Sequence, residues 1–186
     1  MRMRQAANGT STTGSKFNRL HELLDYYRSS HQKVVIFSFF LGTLDLIEKM
    51  VSASNRQRID GKRSPDQRMD AIERFSNAAG FSAMLCQIEA GGVGINLQSA
   101  STVVIFEPQF KPTTEWQAIK RVHRMGQSRR VLVHRMLARE TVDESLRQLV
   151  GKKAGVFDEY ARGSAIKESS EAAVSTAVLQ KELLRQ

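Results

Sequence analysis

Cysteine is nearly absent: the 186 residues hold one, Cys86, inside an apolar run. A lone thiol cannot make an internal disulfide, so the fold must hold without one, and a reducing compartment suits it. Acidic residues are also scarce, 19 Asp and Glu against 28 Lys and Arg, for a net charge of +9. That balance suits either an acidic partner, nucleic acid above all, or a basic soluble surface with no partner. No apolar run approaches the roughly 20 residues of a membrane span. The opening MRMRQAANGTSTTGS carries no apolar stretch of the kind a secretion signal needs. There is no GxxxxGK[ST] phosphate loop and no Asp-Glu-Ala-Asp or Asp-Glu-x-His box, so a self-contained P-loop nucleotidase is excluded.

What is present is 41% hydrophobic residues, enough for the core of one domain. Residues 1–14 are small and polar and read as a flexible tail or a truncated linker. Phe17, Leu20, Leu24 and Tyr27 then recur on one helical face. KVVIFSFF, apolar on both faces over 34–40, reads as a buried parallel strand. A helical stretch with Leu44, Ile47 and Val51 follows, then a short strand at 57–60 ending at Gly61. Ser64, Pro65 and Gln67 form the start of a helix with a capping box, and Met69, Ile72 and Phe75 supply its inner face.

Further strands are expected at 82–88, 102–106 and 131–137. Between the last two, a helix starts at Pro112 and runs to about Met125, with Gly126 as its stop. Thr141 to Glu144 is a second capping-box pattern, continued by Leu146, Leu149 and Val150. Strands alternating with helices point to an α/β fold with a mainly parallel sheet covered on both faces. From Gly163 onward the composition changes, and Val174, Val178, Leu179 and Leu183 read as an amphipathic helix outside the main core.

Two segments carry chemistry. Residues 90–97, AGGVGINL, place three glycines after a strand. Such a turn can bring backbone N–H groups close to an anion, or be a tight turn with no ligand. In QAIKRVHRMGQ (117–127), Gln117, Arg121 and Arg124 are four and three residues apart and so share one helical ridge, with Ala118, Val122 and Met125 on another. Two guanidinium groups and an amide on one ridge suit phosphate oxygens; a solvated basic face is the plainer alternative. His123 has no Cys or His at metal-ligand spacing near it, so no metal site is expected.

In the same order along the chain, KVVIFSFF, IDGKRSPDQRMDAIERF, EAGGVGINLQSASTVVIF and EWQAIKRVHRMGQ resemble four consecutive motifs of the second motor lobe of superfamily-two helicases. The His-Arg-Met-Gly-Gln ending is similar to the Swi/Snf branch of double-stranded DNA translocases. The resemblance covers about residues 15–160 and leaves 161–186 as a C-terminal extension.

It implies a RecA-like three-layer α/β/α lobe. Arg121 and Arg124 match the two arginine positions that reach ATP phosphates held by the first lobe, with Arg124 the finger on the γ-phosphate. Gln117 supports them. Gly92, Gly94 and Asn96 match a motif facing both nucleotide and DNA. Ser38, Asp60, Gly61 and Arg68 match positions near the DNA backbone. ATP and Mg²⁺ are held mainly by the N-terminal RecA-like lobe of the same parent chain, so this lobe alone is expected to be inactive. The location implied is the nucleoid-bearing cytoplasm of a bacterium or the nucleus of a eukaryote. A strand-separating helicase lobe and a non-enzymatic nucleic-acid-binding module remain open.

Two departures stand out. Gln87-Ile88-Glu89 replaces the family's hydroxyl-arginine pair before Ala-Gly-Gly, and Glu107-Pro108-Gln109-Phe110-Lys111-Pro112 replaces Asp-x-x-Trp-Asn-Pro. Trp116 reads as a packing residue.

Overall fold

The β-branched and aromatic runs become the strands of one sheet in the computed structural model, which describes residues 2–9, 11–12, 14–90 and 95–150. They are β1 (Val34–Ser38), β2 (Arg56–Ile59), β3 (Ala83–Gln87), β4 (Thr102–Ile105) and β5 (Leu132–Arg135), in spatial order β2-β3-β1-β4-β5. Every described pairing is parallel, with Ile36 of β1 opposite Leu85 of β3 and Val104 of β4. All five β1 residues are buried, because helices cover both faces of the central strand.

Alternation along the strands divides the core. Val34, Ile36, Ala83, Leu85, Val104 and Phe106 face one side and pack against α2 (Ser15–Ser29) and α3 (Leu41–Glu48). Val35, Phe37, Met84, Cys86, Val103 and Ile105 face the other, under α4 (Pro65–Asn77) and α5 (Pro112–Ile119). The result is the expected three-layer α/β/α arrangement. Phe17, Leu20, Leu24 and Tyr27 of α2 are all buried, as their spacing requires. Phe17 meets Phe106 with ring centroids 5.0 Å apart.

The start of α4 is set by its capping box. The Ser64 hydroxyl accepts the Gln67 amide at 3.2 Å, and the Gln67 side chain accepts the Ser64 amide at 3.0 Å. Its inner face differs from expectation: Ala71 and Phe75 are buried, whereas Met69 is exposed. Edge strand β2 is tied to α3 through Arg58, which pairs with Asp45 at 2.6 Å and Glu48 at 2.8 Å.

Where a flexible tail is expected, Arg2–Asn8 form a short helix, α1, with Arg4 and Asn8 buried. Residues 142–150 are helical as expected, but the cap differs from a capping box. The Thr141 hydroxyl accepts the Asp143 amide at 3.2 Å, while Glu144 accepts from Glu140, one residue before the expected partner. The chain divides into a unit of Met1–Arg147 and a second, Gln148–Gln186, described only at 148–150. The expected amphipathic helix at the C-terminus and the glycines at 91, 92 and 94 lie outside the described residues.

Candidate functional site

The arginine helix is shorter than its periodicity predicts. It ends at Ile119; Lys120 and His123 still bond four residues back, at 2.9 and 2.8 Å, but between them Arg121 and Val122 bond three residues back, to Ala118 at 3.2 Å and Ile119 at 3.0 Å. The cause is tertiary. In a continuing helix the Arg121 carbonyl would accept the amide of residue 125. Here it accepts the Leu97 amide at 2.9 Å instead. Gly126, at φ +95°, then turns the chain toward β5. Gln117 therefore sits on α5, while Arg121 and Arg124 sit in the turn beyond it rather than on one continuous ridge. Ala118 and Val122 are buried as predicted, but Met125 is 96% exposed and Trp116 64% exposed, so neither is a packing residue.

This turn is bound to residues 96–100, which lead into β4. The Gln127 amide donates to the carbonyls of Ala100 at 2.8 Å and Gln98 at 3.0 Å, with a longer contact to Val122 at 3.4 Å. The Gln98 amide returns a bond to the Met125 carbonyl at 2.5 Å, and Arg129 donates to the Ser99 carbonyl at 2.7 Å. Asn96 is exposed and accepts the Gln98 amide at 3.1 Å, shaping the bend beside the arginines. The resemblance supplied Asn96, but Gln98 and Gln127 were missed as site residues; amides between two glycine-containing turns were the available signal.

Arg121 is half-buried against the α4/α5 core, and burial lowers its pKa, opposed by its interaction with Cys86. Arg124 and Gln117 are exposed, and among the described residues no hydrogen bond or ion pair occupies either side chain. One guanidinium is thus held by the protein and the next is presented to solvent, an arrangement that fits phosphate oxygens arriving from outside the lobe.

The second group gathers at the C-terminal ends of β1, β2 and β3, and the structure separates its members. Ser38 is fully buried and its hydroxyl donates to Glu107 at 3.0 Å. Asp60 is 5% exposed, pairs with Arg58 at 2.8 Å and accepts the Lys62 amide at 3.0 Å. Both side chains are committed inside the lobe and shape the turns from within. Gly61 is exposed and Arg68 is partly buried. The Gly61 amide donates to the Gln87 side chain at 3.1 Å, and Arg68 donates to the carbonyls of Arg63 at 3.0 Å and Ala90 at 3.3 Å. Arg68 thus holds the last described residue before the glycine turn, whose far side re-enters the core at Ile95. Gly92 and Gly94 cannot be placed, since 91–94 lie outside the described residues.

Behind Ser38 lies a buried polar cluster. Glu107 accepts the Phe39 amide at 2.5 Å and the Asn8 side chain at 3.1 Å; Lys16 donates to Asn8 at 3.0 Å and pairs with Asp143. Burial raises the Glu107 pKa, against the lowering effects of the Phe39 amide, Ser38, Lys16 and Arg4. Among the described residues no group of three or more His, Cys, Asp or Glu could hold a metal ion.

Residues 15–126 match the model of the helicase conserved C-terminal domain. The chain belongs to that family. It is 34% identical over 161 residues to the DNA repair protein RAD5A of Arabidopsis thaliana, covering 83% of this chain and 16% of that protein. It is 33% identical over 147 residues to the chromatin-remodeling ATPase INO80 of Saccharomyces cerevisiae, covering 78% of this chain and 10% of that protein. A crystal structure of the C-terminal part of the Fun30 ATPase domain superposes with a TM-score of 0.71 at 31% identity, over 75% of this chain and 46% of that one. The fold is therefore the RecA-like lobe, its relatives are of the Swi/Snf type, and the chain spans less than a fifth of the length of either relative.

Proposed function

We propose that this chain is the second motor lobe of an ATP-dependent double-stranded DNA translocase, with Arg124 as its finger toward the γ-phosphate. The observation that carries the reading is the pair beyond the end of α5: Arg121 half-buried beside Cys86 of the core and Arg124 exposed with no partner among the described residues. Phosphoryl transfer spreads charge over the γ-phosphate oxygens, and an arginine free to reach them stabilises it. Arg121 supports that edge of the cleft and Gln117 extends it. The hydrogen bonds joining residues 96–100 to the arginine turn couple it to Asn96 and, along the chain, to Gly92 and Gly94.

Gly61 and Arg68 lie nearest the DNA path, with Ser38 and Asp60 fixing the turns beneath them. ATP and Mg²⁺ are held mainly by the preceding lobe of the parent chain, so the isolated lobe hydrolyses almost none. Grip on duplex DNA comes from Lys and Arg contacts to phosphates and weakens steeply with salt.

The test compares ATP turnover by the full-length parent, with and without duplex DNA, for wild type and Arg124→Ala. The expected loss of DNA-stimulated kcat is about 10³-fold or more, with duplex affinity retained. Normal turnover together with weakened DNA binding refutes the finger and makes the arginine turn a nucleic-acid surface.

A further inference from the structure

The β4–α5 connection, residues 107–111, launches the helix that carries Gln117 and ends at the arginine turn. Helix α5 has no side-chain cap at its start: Lys111 is the N-cap residue and makes no capping bond. Pro112 sets the backbone at its first position, and Arg135 of β5 pairs with Glu115 of its first turn at 2.8 Å, which leaves the connection leading into the helix to be held.

That connection is held by α1, about a hundred residues earlier in sequence. Arg4 is 3% exposed and its guanidinium donates to the Pro108 carbonyl at 2.7 Å. It lies 4.6 Å from the ring centroid of Phe110 and 5.4 Å from those of Phe39 and Phe40. Desolvated cation–π contacts of this kind hold a guanidinium in one orientation. One helical turn later, on the same face, Asn8 donates to Glu107 at 3.1 Å and to Thr43 at 3.2 Å. The two side chains thus grip consecutive residues, 107 and 108, of the connection. From there the grip passes into α5, because Glu115 in its first turn accepts the Gln109 amide at 3.3 Å.

We propose that Arg4 and Asn8 are positioning residues for the arginine turn, with α1 serving as a clasp that sets the start and tilt of α5. The proposal rests on the motor-lobe reading for its effect on turnover but not for its effect on α5. Eight residues make α5 about 12 Å long, so a tilt of about 5° moves its far end by about 1 Å. Misplacement of that size far from the chemistry costs up to about 100-fold in rate.

The experiment uses the full-length parent protein, as wild type, Arg4→Ala and Arg4→Lys. Hydrogen exchange by mass spectrometry is read over residues 113–122 and, for comparison, over the β1 and β3 strands. Arg4→Ala is expected to speed exchange over 113–122 by about ten-fold while leaving β1 and β3 unchanged. DNA-stimulated kcat falls by about ten-fold with the ATP KM within about two-fold of wild type. Arg4→Lys keeps a cation over the three rings and recovers part of both effects.

Unchanged exchange over 113–122 overturns the clasp. Faster exchange spread equally over β1 and β3, in both variants, also overturns it and makes Arg4 a general support of the fold. Faster exchange at α5 with undiminished kcat removes the positioning role. If Arg124→Ala in the same protein turns over normally, the motor-lobe reading fails, and the exchange comparison still decides whether α1 holds α5.

Discussion

Gln127 is where the two glycine-containing segments of the site are joined, and its removal gives the most direct test of that geometry. Its amide nitrogen donates to the carbonyls of Ala100 and Gln98 at 2.8 and 3.0 Å and approaches that of Val122 at 3.4 Å, while its oxygen accepts the Arg129 amide at 3.1 Å. Truncation to alanine removes these bonds and leaves partly buried carbonyls to find water. At about 0.5–1.5 kcal/mol net per hydrogen bond, and with the half-buried site partly rehydrated, the loss is about 2–3 kcal/mol. For a domain of this size that lowers Tm by about 5–10 °C.

Gln127→Glu sharpens the test, since it keeps the length and the acceptor for Arg129 but points an anionic oxygen at three carbonyls. It should destabilise at least as much as alanine. Urea unfolding measures both. If both variants stay within about 0.5 kcal/mol of wild type, as an ordinary surface substitution does, the bonds do not hold the arginine turn.

Glu107→Gln tests the buried carboxyl. Burial raises its pKa above the ordinary 4.5, so the folded state binds its proton more tightly than the unfolded state. The stability it contributes is full below the unfolded value and is lost as pH rises through the folded one. The wild-type-minus-variant difference in unfolding free energy should therefore fall as pH rises above 4.5, and a flat difference refutes the assignment. Cys86 is fully enclosed and burial pushes its thiol up to about 12, so a thiol reagent at pH 8 should label it only on unfolding; rapid native labelling contradicts its placement in the core. Ser64→Ala should cost about 1 kcal/mol by removing the cap of α4, read by the same urea titration, and no measurable cost would deny the capping box a role.

The elements that sequence reveals best are those whose own residues decide them. The two-sided apolar run of β1, the Phe17-Leu20-Leu24-Tyr27 stripe and the Ser64-Pro65-Gln67 start each carry a local physical signal, and each is where its pattern places it. Misreadings occur where distant residues decide. Residues 117–125 have helical periodicity throughout, yet Leu97 takes the Arg121 carbonyl and the helix stops at Ile119. Met69 and Met125 fit an apolar stripe, but Ala71, Phe75 and Val122 fill the same core face, and the methionines stay outside. The polar composition of 1–14 hides α1 because its docking depends on Glu107 and Pro108, which no local pattern links to Arg4 or Asn8.

The site was legible as residue types and less so as roles. The resemblance places Ser38 and Asp60 near the DNA backbone, and a motif position carries no side-chain direction. Here each is turned inward, Ser38 to Glu107 and Asp60 to Arg58 and the Lys62 amide. The departure at Gln87 has a structural reason of the same kind. Its side-chain oxygen accepts the Gly61 amide, tying the end of β3 to the turn after β2. A serine or threonine side chain ends at the γ position, two bonds short of the oxygen that makes this bond. The glutamine reaches across the gap between neighbouring strand ends and holds Gly61 beside Arg68, whose guanidinium holds Ala90. Gln87, a departure from the family pattern, therefore fastens the turn after β2 to the end of β3, as Arg68 fastens the start of α4 to Ala90.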